Sequence, residues 1–218
     1  MDDFRVITRE SDEWPLSLHS YGAAPTKLWV SGPVNLAEVC AVAVTVVGSR
    51  SATEYGEAVA GEFGSDFAAA GVPVVSSLAY GVDGAALRGV LARGGVALAV
   101  MPCGLSIVHP IAHRQLAESV RDAGVTVSMW EPATIPSRER FQQAMRLMVA
   151  LSRATVVVEA GIRSGVFTGV ALASSLRRPV YAVPGPVRAE QSKGTNHLIA
   201  RGSARLVTSA EDVLGQLN

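Results

Sequence analysis

The stretch Ala41-Val42-Ala43-Val44-Thr45-Val46-Val47-Gly48-Ser49-Arg50 decides the architecture. Residues 41–47 carry no charge and show no apolar–polar alternation, so the run reads as a buried strand of a parallel sheet rather than one with a wet face. Gly48 ends it. Directly downstream, residues 54–70 place Tyr55, Val59, Phe63 and Phe67 at helical spacing, and Gly71 closes the segment. A buried strand followed by such a helix opens a βαβ unit, and the pattern then repeats along the chain.

Further strands are predicted at 72–76, 96–101, 125–130, 154–159, 179–183 and 205–207. Helices are predicted at 83–92, 113–123, 138–151, 165–176 and 209–217, the last with Glu211 and Asp212 in its first turn. Right-handed crossovers then put helices on both faces. The expected fold class is α/β: one domain with a doubly wound, mostly parallel sheet. Residues 1–35 read as an N-terminal extension with one short strand near 28–30, leaving 36–218 as the main body. Residues 184–204 are rich in glycine, proline and polar residues and read as a long loop, functional or partly disordered.

Composition agrees with a well-packed domain. Of the 218 residues 49% are hydrophobic and only 17% charged, which argues against disorder; aromatics are 6%, so small residues must fill the core. Nineteen basic and nineteen acidic residues give a formal net charge of zero, so any anion must be held by a local cluster and not by a global field. Cys40 and Cys103 stand in no metal-like spacing, which makes cytosol the default expectation. The first residues lack the basic-then-apolar pattern of a signal peptide, and no apolar run has the roughly 20 residues of a membrane span.

In an open parallel sheet, ligands bind beyond the carboxyl ends of the strands, near the switch in strand order. The turns that follow the six main strands hold Gly48-Ser49-Arg50-Ser51, Ser76-Ser77-Leu78-Ala79-Tyr80-Gly81, Pro102-Cys103-Gly104, Glu131-Pro132, Glu159 with Gly161 and Gly165, and Pro184-Gly185-Pro186. Five of the six contain glycine, often beside serine, so a ligand can approach the backbone closely and meet N–H and O–H donors. The chemistry favoured is anion binding, most naturally of phosphate, with Arg50 as a fixed cation.

Each element also has a plainer reading. A glycine at a βα turn is most often structural. The dinucleotide fingerprint and the P-loop lysine are both missing. Asp83 reads as a helix cap. Glu159 is a ligand, a base or a solvated strand end. His109, His113 and His197 lack metal spacing and read as surface or capping residues, and Cys103 as a small apolar residue in a turn. No nucleophile elbow or acid pair is present, so a catalytic role has little support and no metal or other cofactor is implied.

At these same turns the sequence resembles the DprA/Smf family of bacterial DNA-processing proteins, from about Leu28 to Leu214. The family's G-S-R stands as Gly48-Ser49-Arg50, and its S-G-L-A-x-G-I-D-x-x-A-H as Ser76-Ser77-Leu78-Ala79-Tyr80-Gly81-Val82-Asp83-Gly84-Ala85-Ala86-Leu87. Its G-x-G-L then Y-P stands as Pro102-Cys103-Gly104-Leu105 then His109-Pro110, and its S-x-G-x-N as Ser192-Lys193-Gly194-Thr195-Asn196. The family's F-x-R-R-N-R stands as Phe141-Gln142-Gln143-Ala144-Met145-Arg146, keeping one cation of the set, and its R-S-G as Arg163-Ser164-Gly165. Loss of two cations removes roughly two phosphate contacts' worth of salt-dependent affinity.

The resemblance implies an extended Rossmann-like domain that binds single-stranded DNA, a homodimer, and help to a RecA-type recombinase in transformation or related recombination. It implies no membrane partner. Together with the turn reading, it gives Gly48, Ser49, Arg50, Ser76, Ser77, Ala79, Gly81, Gly104, Arg146, Ser164, Gly165, Lys193 and Asn196 as candidate DNA- or phosphate-binding residues, with Arg50 foremost. Tyr80 is the main aromatic residue in the turns, so base stacking is expected to be modest and sequence preference weak. The alternative is a nucleotide sensor or an enzyme similar to the nucleoside-monophosphate phosphoribohydrolases of related fold. Those carry P-G-G-x-G-T-x-x-E, which residues 159–168 do not match.

Overall fold

The structure is a computed structural model and describes residues 4–217. In chain order the elements are β1 (Arg5–Thr8), β2 (Lys27–Ser31), α1 (Leu36–Val42), β3 (Val44–Val47), α2 (Glu54–Ala69), β4 (Val74–Ser76), α3 (Val82–Ala92), β5 (Ala97–Val100) and α4 (Arg114–Ala123). There follow β6 (Val125–Ser128), α5 (Arg138–Leu151), β7 (Ala154–Val157), α6 (Val166–Ser175), β8 (Val180–Ala182), α7 (Lys193–Ala200), β9 (Arg205–Leu206) and α8 (Ala210–Leu214). All the strands join one sheet in the order β1-β2-β6-β5-β4-β3-β7-β8-β9. From β6 to β9 every pairing is parallel, while β1 and β2 pair antiparallel and hang on β6. The expected doubly wound, mostly parallel α/β fold is what the chain forms.

Two hydrophobic clusters cover the two faces. On one, Leu36 and Val39 of α1, Leu147 and Leu151 of α5, and Val166 and Val170 of α6 pack against Val47 and Val75. On the other, Phe63 and Phe67 of α2, Leu87 and Val90 of α3, and Val120 of α4 pack against Val44, Val46 and Val74. β3 therefore feeds both layers, as an apolar run without alternation must. Its one polar side chain, Thr45, is buried with Oγ1 3.0 Å from the Met148 carbonyl and 2.8 Å from Ser152 Oγ, so this hydroxyl is not stranded.

Three readings of the sequence are corrected. The strand at 41–47 begins at Val44; residues 41 and 42 complete α1, whose start is capped by Asn35 Oδ1 accepting from Glu38 N–H at 3.2 Å. Residues 1–35 hold two strands, not one, because β1 pairs with β2 residue for residue. The 184–204 segment contains helix α7, preceded by a turn of 3₁₀ helix at Glu190–Ser192. Its burial comes from close approach: a Cβ on Gly194 would strike the carbonyl of Ala160.

Arg178 anchors the far end of α5. Its Nη1 donates to the carbonyls of Val149 and Ala150, each at 2.6 Å, and of Ser152 at 2.8 Å, while Nη2 donates to Ser17 O at 2.9 Å. A cation thus satisfies carbonyls that the helix end leaves open and ties them to the N-terminal segment.

Small residues set the spacing of α2 and α3. A Cβ on Gly64 would run into the Ala86 carbonyl, and one on Gly89 into that of Gly61. Gly64→Ala is expected to lower unfolding free energy by about 2 kcal/mol through overpacking, despite its better helix propensity. Urea denaturation checks this; an unchanged midpoint would show that the two helices can separate freely.

Candidate nucleic-acid interface

The sheet order places the site. From β3 the chain builds β4, β5 and β6 outward on one side, then returns to lay β7 against the other side of β3. The order switches between β3 and β7, and the loops leaving their carboxyl ends part there to open a crevice. A cleft of about 860 Å³ occupies it. Its walls are the loop 48–51, the turn at Ser77 and Ala79, the first turns of α5, and the loop 161–165.

The loops converge because glycine leaves room for nothing else. A Cβ on Gly48 would sit 2.6 Å from Val82 Cγ2 and 2.7 Å from the Glu159 carbonyl. Gly81 takes φ +69° and lies flat on the carbonyls of Ser49 and Arg50, a conformation and a proximity that a side chain would forbid.

Two buried carboxylates lock the floor. Asp83 Oδ1 accepts from the Gly48 backbone N–H at 3.2 Å, and its Oδ2 accepts from Ser77 Oγ at 2.6 Å. Ser77 Oγ in turn accepts from Ala79 N–H at 3.1 Å. Asp83 is not the cap of α3, as its position in the sequence led one to expect; Gly81 holds the cap position, and Asp83 turns inward from the first turn to join two loops. Burial pushes its carboxyl up to about 6, against the pull of the Ser77 and Gly48 hydrogen bonds and the Arg50 charge. Glu159 is likewise buried and not a solvated strand end. It accepts from Thr53 N–H at 2.9 Å and Thr53 Oγ1 at 2.7 Å, bracing the residue that caps α2.

The upper wall is cationic and aromatic. The Arg50 guanidinium carbon lies 3.9 Å from the centroid of the Phe141 ring, a cation–π contact. His109 meets the same ring edge-on at 5.7 Å. Arg138 and Arg163 also line the cleft, so three arginines stand around it.

Of the residues singled out in the sequence, the fold brings Gly48, Ser49, Arg50, Ser77, Ala79, Ser164 and Gly165 onto the cleft. Gly81 supports it from behind. The others stand elsewhere. Ser76 is buried and donates to the Val46 carbonyl at 2.7 Å. Gly104 packs on the backbone of Glu131 and Pro132. Arg146 is exposed on α5 beside Tyr21, away from the cleft lining. Lys193 pairs with Glu190. Asn196 accepts from Gly185 N–H at 3.2 Å and donates to its carbonyl at 2.9 Å, pinning the turn after β8. Phe141, His109, Arg138 and Arg163 join the cleft lining, although the sequence did not mark these four as ligand-binding. Phe141, Arg163 and His109 each open a motif quoted for the family resemblance, so a signal existed; nothing in the sequence tied Arg138 to the site.

A doubly wound sheet with three arginines around its switch-point crevice defines a Rossmann-like domain. The chain belongs to the DNA recombination-mediator protein A family, whose sequence profile matches residues 5–218. A relative from Mycobacterium tuberculosis is 42% identical over 221 residues, an alignment that covers 96% of this chain and 57% of that protein; the chain thus spans little more than half the relative's length. The crystal structure of DNA processing protein A from Streptococcus pneumoniae superposes with a TM-score of 0.91 at 30% identity, over 100% of this chain and 75% of that one. DNA processing protein A from Helicobacter pylori, a single-stranded-DNA-binding protein, shares the fold with a TM-score of 0.87 at 22% identity, over 99% and 95% of the two chains. Among the described residues no group of metal-ligating side chains occurs, and no helix is long and apolar enough to cross a membrane.

Because Asp83 titrates near 6 when folded, against an ordinary value of 3.8, the native state keeps a proton that the unfolded chain has already released between those values. Native stability is therefore expected to fall as pH rises from about 4 to about 6, by at most about 3 kcal/mol, and then to level off. Asp83→Asn should flatten this slope. Denaturation midpoints at several pH values read it; parallel profiles for variant and parent would refute the assignment.

Proposed function

We propose that this domain holds single-stranded DNA in the switch-point cleft, as a non-catalytic DNA-processing protein that assists a RecA-type recombinase in the cytosol. The observation that carries the reading is Arg50. Its guanidinium is fixed over Phe141 at the mouth of the cleft, beside the Gly48–Ser51 backbone, where phosphate oxygens meet both charge and amide donors. Arg138 and Arg163 add two further cations around the cleft. The Helicobacter relative's affinity for single strands supports the choice of ligand.

Binding rather than catalysis is favoured by the acids present. Both oxygens of Asp83 are taken up by the fold, and so are both of Glu159. The phosphoribohydrolase alternative has no comparable support, since 159–168 lacks the glycine run of those enzymes. The proposal extends to a homodimer formed through the region 205–217. Leu206, 53% exposed on the edge strand β9, offers an apolar contact there.

With three guanidinium contacts, the logarithm of affinity should fall against the logarithm of salt with a slope of about −2. Arg50→Ala should weaken binding to oligothymidylate several-fold and reduce the slope by about 0.7. Fluorescence anisotropy across a salt series measures both, and identical affinity and slope in variant and parent would remove Arg50 from the site. Incubation with nucleoside monophosphates should release no free base.

A further inference from the structure

Beside the cleft, but not lining it, stands a second aromatic feature that the binding reading leaves unused. Tyr80 follows Ala79, which lines the cleft, and precedes Gly81, which lies on the Ser49 and Arg50 carbonyls. The residue is 50% exposed. It is also held in place. The His113 ring meets it edge-on with centroids 4.9 Å apart, and His113 is itself fixed by Nδ1 against the Leu78 carbonyl at 2.8 Å. The bare backbone of Gly84 admits this packing: a Cβ there would lie 2.9 Å from His113 Cε1 and 3.3 Å from Arg88 Nη1.

We propose that the Tyr80–His113 pair is a stacking platform for a base of the DNA strand as it leaves the cleft, an inference that rests on the cleft reading above. A base has a flat face whatever its identity, and an exposed ring held from behind is the surface it stacks on without sequence preference. The position suits that role. Tyr80 is joined to the cleft wall through Ala79 and to the Ser49–Arg50 backbone through Gly81, so a strand that leaves the cleft past Ala79 meets an exposed ring. Paired bases hide their faces in the helical stack, so the platform favours single strands over duplex. It also lengthens the footprint: a very short strand fills the cleft alone, whereas a longer one reaches Tyr80.

The test compares oligothymidylates of about 4 and about 20 nucleotides, the range of site sizes seen for single-strand grooves. Tyr80→Ala should weaken the longer strand about tenfold, as expected for loss of one base–aromatic stack, and leave the shorter unchanged. Tyr80→Phe should bind as the parent does, because the ring and not the hydroxyl is needed. Iodouracil placed in the longer strand should photo-cross-link to the peptide containing Tyr80, a signal that a purely structural residue would not give. Parental affinity of Tyr80→Ala for both lengths, with Arg50→Ala weakened on both, would overturn the platform and keep the cleft. A loss in Tyr80→Ala with Arg50→Ala unchanged would uphold the platform and discard the cleft. Equal losses on short and long strands, or a loss in Tyr80→Phe matching that in Tyr80→Ala, would overturn the platform.

Discussion

The Asp83 carboxylate, shut off from water and shared between the Gly48 amide and the Ser77 hydroxyl, is the tie on which the site depends. It joins the turn after β3 to the turn after β4, and both turns line the cleft. A buried acid is costly unless its oxygens are satisfied, so the hydrogen bonds that hold the loops also make the residue tolerable. Glu159 repeats the device on the other flank, through Thr53 at the start of α2. The crevice is thereby braced at its base on both flanks.

That bracing rests on unusually thin packing. Glycines at 48, 64, 81 and 89 let strand, loop and helix backbones touch where any side chain would intrude. A core poor in aromatic residues follows from the same choice: small side chains bring α2 and α3 close to each other and to the sheet, and density is reached by proximity rather than bulk. Zero net charge fits the same picture. With no field around the whole molecule, positive charge is gathered locally, by Arg50, Arg138 and Arg163 at one crevice.

Much of this could be read from the chain. The valine run and its glycine end gave the parallel sheet, because burial on both faces leaves a pattern without alternation. Gly48-Ser49-Arg50 marked the crevice, because phosphate chemistry and a sharp βα turn call for the same residues. Other parts left no local trace. Ala41 and Val42 suit a helix end as well as a strand, so the boundary of α1 blurred, although Asn35 was there to cap it. Helix α7 sits in a glycine- and polar-rich segment whose helicity is settled by contact with Ala160. Phe141 meets Arg50 only because β7 returns beside β3 and brings α5 over the cleft, a juxtaposition that no spacing rule contains. Asp83 looked like a cap because its inward partners are created by the fold.

The anchoring of α5 by Arg178 has a mechanical reach. The helix has 14 residues and so is about 21 Å long. One end is clamped by the guanidinium that also grips Ser17, and the other carries Arg138 and Phe141 to the cleft mouth. Ala144, Leu147, Met148 and Leu151 seat it in the core along its length, so the helix works as a strut: the aromatic wall keeps its standoff from an anchor point far outside the crevice.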